Sequence, residues 1–179
     1  MAIWGLGTIG LAAACGAKAK GALKIIGVDL NEDKFKLAEQ FGITDFVNPS
    51  KVESVPDAIR KLTGGVGVDY ALEAIGLQST AQAAFDSCAI WGRTILIGVI
   101  SNGKVLEIPA EPLVMGRTLT GGFFGGYHGR NDIPKIIEQY KTGDLPVDKF
   151  ITGTLPLDRV QEAFDNLLAG KALRTVILS

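Results

Sequence analysis

The sequence is poor in the residues that bind metal ions or form disulfides. Its 179 residues include one histidine, His128, and two cysteines, Cys15 and Cys88, each within an apolar helical pattern. One histidine cannot form a His-based metal cluster, and two cysteines so far apart lack the spacing of thiolate ligands. We therefore predict no metal site and no disulfide in this chain, and we expect His128 to lie on the surface.

Neither sign of charge is in excess, and no apolar run is long. The chain has 18 basic and 19 acidic residues, which gives a formal net charge of −1. This balance provides no electrostatic footprint for nucleic acid or for an anionic membrane. Apolar runs such as 94–100 fall far short of the ~20 residues that span a bilayer, and no signal-peptide pattern opens the sequence. We expect a soluble, cytoplasmic protein without nucleic-acid or membrane partners.

Glycine, in contrast, is abundant, and its most informative cluster opens the chain. Gly5, Gly7 and Gly10 have the spacing G-x-G-x-x-G, and Asp29 follows nineteen residues after Gly10. Residues 2–5 read as a buried strand, and residues 9–20 read as an alanine-rich helix. A strand, a glycine turn, a helix and a later acid form the pattern of a βαβ unit that binds a dinucleotide.

The chemistry of this pattern assigns a role to each part. The glycines allow a tight turn, a close approach of backbone to pyrophosphate and close helix–strand packing, while the helix N-terminus attracts phosphate. Asp29 would accept hydrogen bonds from both ribose hydroxyls and repel a 2′-phosphate, so NAD is favoured over NADP, and Lys34 lies close enough to help. The predicted cofactor-binding residues here are Gly5, Leu6, Gly7, Thr8, Ile9, Gly10, Asp29 and Lys34.

Strand and helix patterns alternate as far as residue 124. The predicted strands are 2–5, 23–28, 45–47, 68–75, 93–99 and 117–124, with helices 9–20, 32–40, 56–62 and 80–89 between them. Asn31, Ser54 and either Ser79 or Thr80 are the predicted N-caps. Most of these strands are almost continuously apolar, which is typical of a parallel sheet covered on both faces. We predict an α/β fold with a doubly wound, six-stranded parallel Rossmann sheet.

The pattern changes after residue 124. A helix capped by Asn131 or Asp132 is predicted to run to Thr142, a last helix begins at Asp158, and residues 173–178 form a strand. We therefore predict an NAD-binding domain at 1–123 and a short C-terminal α/β extension at 124–179.

Groups that would carry out hydride transfer are scarce. Such a reaction needs a metal, a histidine, a Tyr–Lys pair or an arginine to polarise oxygen and move a proton, and no Tyr-x-x-x-Lys pair occurs on a predicted helix. We predict no catalytic residue in this chain. Methyltransferases that use S-adenosylmethionine also carry an acid after the second strand, but their glycine pattern is usually tighter.

Five runs of the sequence resemble the zinc-dependent medium-chain alcohol dehydrogenases. They follow one another in the family's order and with nearly its spacing, over the whole chain. The runs are 3–10 (IWGLGTIG), 25–34 (IIGVDLNEDK), 69–76 (DYALEAIG), 116–126 (GRTLTGGFFGG) and 173–177 (LRTVI).

This resemblance implies further cofactor contacts and a partner. The backbone that receives the nicotinamide matches two short segments, and Arg174 matches an arginine that reaches a coenzyme phosphate. The segments are Ile97, Gly98 and Val99, and Gly122, Phe123 and Phe124. The resemblance also implies a homodimer formed through the sheet edge near Arg117, and a small alcohol or aldehyde as substrate.

The resemblance covers only one half of the family's pattern. Zinc ligands and the proton relay of the family lie in an N-terminal catalytic domain that has no counterpart among these residues, so zinc would belong to the full-length enzyme. We expect this chain to be the NAD-binding portion of an alcohol dehydrogenase, with residues 124–179 completing its catalytic domain, and to be inactive alone. The alternative is a stand-alone, naturally truncated module that senses NAD or dimerises without turnover.

Overall fold

A computed structural model describes all 179 residues, and the chain divides into two compact units, Met1–Gly125 and Gly126–Ser179. None of the helices combines the length and the apolar character that crossing a membrane requires. The sequence-based boundary between residues 123 and 124, with its assignment of the second part to a catalytic domain, stays a prediction.

The first unit is built on a six-stranded sheet in the order β3-β2-β1-β4-β5-β6. Every neighbouring pair in it is parallel. The strands are β1 Ala2–Trp4, β2 Ile26–Val28, β3 Asp45–Val47, β4 Val68–Glu73, β5 Cys88–Leu96 and β6 Thr118–Gly121. This confirms the predicted doubly wound parallel sheet. Because the strand order reverses beside β1, the crevice between the carboxyl ends of β1 and β4 is the expected place for a ligand.

Five helices accompany the sheet: α1 Thr8–Ala19, α2 Phe35–Glu39, α3 Val55–Leu62, α4 Gln78–Asp86 and α5 Ala110–Val114. The cap predictions at Asn31 and Ser54 are confirmed, since their side chains accept hydrogen bonds from Asp33 N and Asp57 N. The prediction for α4 is wrong, because Leu77 occupies the cap position and makes no side-chain cap bond.

The core of the first unit lies between the strands and the helices that cover them. β1 and β2 are buried along their whole length. Trp4, Ile26 and Val28 pack with Ile59 of α3 and Ala84 of α4 in one cluster. Burial along the whole strand explains why the strands read as continuous apolar runs rather than alternating ones.

Two strands differ from the sequence expectation at their starts. β2 begins at Ile26 rather than at Leu23, which is 97% exposed. β5 begins at Cys88, five residues before the predicted start at Arg93, and its register with β4 shifts in this stretch. Trp91 has φ 67° there, and a Cβ on Gly116 would lie 2.5 Å from its ring. The prediction of a helix as far as Ala89 is therefore wrong at its end, because α4 ends at Asp86 and Cys88 already lies in the strand.

The second unit contains α6 Gly129–Lys141, β7 Gly153–Pro156, α7 Val160–Leu168 and β8 Thr175–Leu178. β7 and β8 form a two-stranded parallel sheet, of which only β8 was expected. The Asp132 carboxylate accepts a hydrogen bond from His128 N at 2.8 Å from within the first turn of α6. On α7, Phe164 and Leu167 are each more than half exposed, so much of its apolar face is uncovered.

Candidate functional site

The glycine turn, residues 5–7, joins β1 directly to α1. Gly7 is the N-cap residue of α1, and no side chain caps this helix end. A Cβ on Gly7 would meet no atom within 4 Å, so the backbone is open to approach at this point. The amide groups of a helix's first turn point outward along its axis and attract anions. This end of α1 therefore has the form expected of a pyrophosphate site.

The two other glycines are required by packing. Gly5 has φ 90°, and a Cβ there would lie 2.8 Å from the Ile75 side chain. A Cβ on Gly10 would lie only 1.9 Å from the Gly5 carbonyl oxygen. No side chain fits at that distance, so Gly10 allows α1 to begin against the end of β1.

Asp29 lies directly after β2 and is 9% exposed. Its Oδ2 accepts hydrogen bonds from Leu6 N and from Lys34 Nζ, both at 2.9 Å. Its Oδ1 accepts one from Asn31 N at 2.9 Å. The structure thus brings the predicted ribose-binding acid into contact with the glycine turn itself, and one carboxylate links three segments of the chain.

Lys34 belongs to the 3₁₀ turn that precedes α2, and its side chain is 27% exposed. Its ammonium group forms an ion pair with Asp29 at 2.9 Å. The predicted pair of ribose-binding side chains is therefore assembled, although contact of either residue with a ribose stays a prediction.

A second group of predicted residues gathers at the ends of β5 and β6. Ile97 N and Gly98 N both donate to the Glu73 carbonyl at 2.9 Å, and Gly122 N donates to the Leu96 carbonyl at 2.9 Å. The exposed members at this edge are Val99, Phe123 and Phe124. These segments share the edge of the sheet that carries the glycine turn, and their contact with nicotinamide stays a prediction.

Two residues singled out from the sequence lie in the second unit. Arg174 directly precedes β8, and its carbonyl accepts a hydrogen bond from Thr152 N at 2.9 Å. Its contact with a coenzyme phosphate stays a prediction. His128 is exposed, as expected.

Sequence reasoning missed Glu73, the last residue of β4. Its side chain is fully buried, with 0% exposure, whereas an acid at a strand end is usually taken for a solvated tip. The available signal was its position, an acid within the apolar part of the predicted strand 68–75.

The fit of these residues to a cofactor and to a metal differs. The open backbone at Gly7 and the Asp29 carboxylate match the pyrophosphate and ribose of a dinucleotide. No three His, Cys, Asp or Glu side chains of this chain lie close enough together to hold a metal ion. A zinc ion therefore finds no ligand set among these residues.

Comparisons with known proteins show the family of this chain. The model of the zinc-binding dehydrogenase family matches residues 8–142. The chain is 44% identical to an alcohol dehydrogenase class-3 of Drosophila melanogaster over 180 residues, covering 98% of this chain and 47% of the relative.

Solved structures give the same picture. The benzyl alcohol dehydrogenase of Acinetobacter calcoaceticus matches with a TM-score of 0.92 and 29% identity, over 98% of this chain and 48% of that one. A putative zinc-binding dehydrogenase of Sinorhizobium meliloti, bound to NADP, matches with a TM-score of 0.89 and 25% identity, over 99% and 52%. The chain spans about half the length of the relatives it matches.

Proposed function

This chain belongs to the zinc-binding dehydrogenase family, and we propose that it is the coenzyme-binding portion of an NAD-dependent alcohol dehydrogenase. One observation carries the proposal. Leu6 of the glycine turn and Lys34 both donate to Oδ2 of Asp29 at 2.9 Å, so groups suited to pyrophosphate and to ribose form one corner beside an open helix end.

The proposed reaction transfers a hydride between a small alcohol or aldehyde and NAD. Two of the relatives named above carry the names of alcohol dehydrogenases, which supports this substrate class. A zinc ion, held by ligands outside these residues, would polarise the substrate oxygen. This chain's own contribution is to bind the coenzyme and to hold it in place.

We propose NAD rather than NADP as the coenzyme, although the Sinorhizobium relative contains NADP. A 2′-phosphate would have to approach the buried carboxylate of Asp29. The cation nearest to that carboxylate, Lys34, is already paired with it. Two like charges at short range in a partly desolvated site repel each other strongly, so the phosphate is disfavoured.

We also propose that the chain forms a homodimer through β6. This strand pairs only with β5 and is the last in the sheet, so its outer edge offers unpaired backbone groups to another strand. The segment before it exposes three apolar side chains, namely Leu113, Val114 and Met115. The free edge of β6 and these three side chains form a surface suited to a second copy of the chain. We also propose that the protein is cytoplasmic.

Calorimetry tests the central claim. NADH should bind this chain with one site per chain, while an alcohol oxidation assay with added zinc should show no turnover. Titration with NADPH should give much weaker binding. A chain that binds neither coenzyme, or that oxidises alcohols unaided, would contradict the proposal.

A further inference from the structure

Glu73 holds together the loop that follows β4. Its Oε1 accepts hydrogen bonds from Ile75 N at 2.9 Å and from Gly76 N at 2.8 Å. The Thr80 hydroxyl, in the first turn of α4, lies 2.8 Å from the same oxygen and 2.9 Å from the Leu77 carbonyl, and it can donate to either. A fully buried carboxyl group is costly unless it is hydrogen-bonded. The two amides provide that compensation, with the Thr80 hydroxyl as a further donor in reach, and these bonds fix the loop to the end of the strand.

The other side of Glu73 faces the loop that follows β5. Its Oε2 is buried and accepts no hydrogen bond from the protein. A Cβ on Gly98 would lie 2.4 Å from this oxygen and 2.2 Å from Gly76 N. The Glu73 carbonyl also accepts hydrogen bonds from Ile97 N and Gly98 N. One residue thus sets the distance between the loops after β4 and β5.

The loop held by Glu73 also borders the glycine turn. Ala74 N donates to the Trp4 carbonyl at 2.9 Å, directly before Gly5. A Cβ on Gly5 would lie 2.8 Å from Cγ1 of Ile75. The Ala74–Gly76 loop therefore contacts the glycine turn on one side and the Gly98 backbone on the other.

We propose that Glu73 is a positioning residue that sets the spacing between the glycine turn and the Ile97–Val99 backbone. This inference rests on the proposed function, in which the first segment binds pyrophosphate and the second receives the nicotinamide. A dinucleotide engages both segments at once only when their separation matches its length. The second contact then adds to affinity because it is made within an already bound molecule. Loosening the spacing should reduce that addition while leaving the adenosine end bound.

The test compares two ligands and two variants. NADH engages both segments, whereas ADP-ribose lacks the nicotinamide. Glu73→Met fills a similar volume but leaves the Ile75 and Gly76 amides without an acceptor, and should weaken NADH binding about tenfold or more. The affinity for ADP-ribose should change by less than about threefold. Glu73→Gln keeps an oxygen for the same donors and should recover most of the NADH affinity.

Ser87→Ala is the matched control, because Ser87 is also fully buried and donates to the Ala83 carbonyl at 2.7 Å, at the far end of α4. It should lower stability without changing the ratio of the NADH and ADP-ribose affinities. If Glu73→Met does not fold, Thr80→Val removes one donor and should show a smaller selective loss, which Thr80→Ser should avoid.

The two proposals fail in different ways. Equal weakening of both ligands, or an unchanged ratio in folded Glu73 and Thr80 variants, would overturn the positioning role. Failure of the unaltered chain to bind either ligand would overturn the proposed function and, with it, this inference.

Discussion

Replacing Asp29 with serine is the most direct test of the proposed coenzyme site formed by Leu6, Asp29 and Lys34. The carboxylate accepts hydrogen bonds from Leu6 N, Asn31 N and Lys34 Nζ, all at 2.9 Å. Serine is too short to reach these donors together. The substitution therefore removes the proposed ribose contact and the connection between the glycine turn and β2 in one step.

The expected magnitudes follow from these contacts. Losing a charged acceptor for a buried backbone N–H costs about 1.5–3 kcal/mol. The ion pair with Lys34, whose side chain is 27% exposed, adds less than about 1 kcal/mol after solvent screening. We expect the free energy of unfolding to fall by about 2–3 kcal/mol. The loss of hydrogen bonds to both ribose hydroxyls should weaken NADH binding about a hundredfold.

Two coenzymes and two further variants make the assay decisive. Urea denaturation measures stability, and fluorescence titration measures affinity for NADH and NADPH. Asp29→Asn keeps the shape but offers one oxygen to donors on both sides, so it should lose affinity for NADH and part of its discrimination against NADPH. Asp45→Ser removes a partly buried acid that pairs with Lys24 at 3.5 Å in the first position of β3, and should leave both affinities unchanged. An unaltered preference for NADH in Asp29→Ser would refute the proposed ribose site.

Three more outcomes are expected. Gly10→Ala places a Cβ 1.9 Å from a backbone oxygen, so it should lower the free energy of unfolding by more than about 3 kcal/mol and abolish NADH binding. Gly16→Ala, in open space within α1, should instead stabilise the protein in the same denaturation assay. Val114→Asp charges a residue that is 87% exposed beside the proposed dimer edge and should shift sedimentation towards monomer; Val66→Asp, in the loop before β4, should not. Burial raises the pKa of the Cys88 thiol above its ordinary value of 9.0, so above that pH the folded chain keeps a proton that the unfolded chain loses. The free energy of unfolding should therefore fall as pH rises above 9.0. Denaturation of Cys88→Ala on both sides of this pH should lack this part of the decline.

The sequence predicted the sheet well because its signals are local. Apolar runs bounded by glycine mark the buried strands. The Ser54 cap of α3 could be predicted because its hydrogen bond to Asp57 N joins residues that are close together in the chain. Asp29 was identified from its separation along the sequence, nineteen residues after Gly10. Each of these features depends on neighbours along the chain, and a pattern in the sequence records them directly.

The misses depend on contacts between distant segments. Ser79 and Thr80 read as caps for α4, but the Thr80 hydroxyl lies against the carboxylate of Glu73 on β4. The start of β5 was not predicted because Trp91 adopts a left-handed conformation within the strand. Its ring packs against Gly116, a contact with a distant segment that the local sequence does not reveal. β7 is short and ends at a proline, so it offered no apolar run.

The hydrogen bond between Leu6 and Asp29 has a consequence for how a coenzyme would be recognised. Because the amide and the carboxylate already fix each other, the two halves of an adenosine diphosphate would meet a rigid template. Little ordering entropy is then lost on association. Binding at this corner should accordingly proceed in a single fast phase, with the slower adjustments confined to the nicotinamide end.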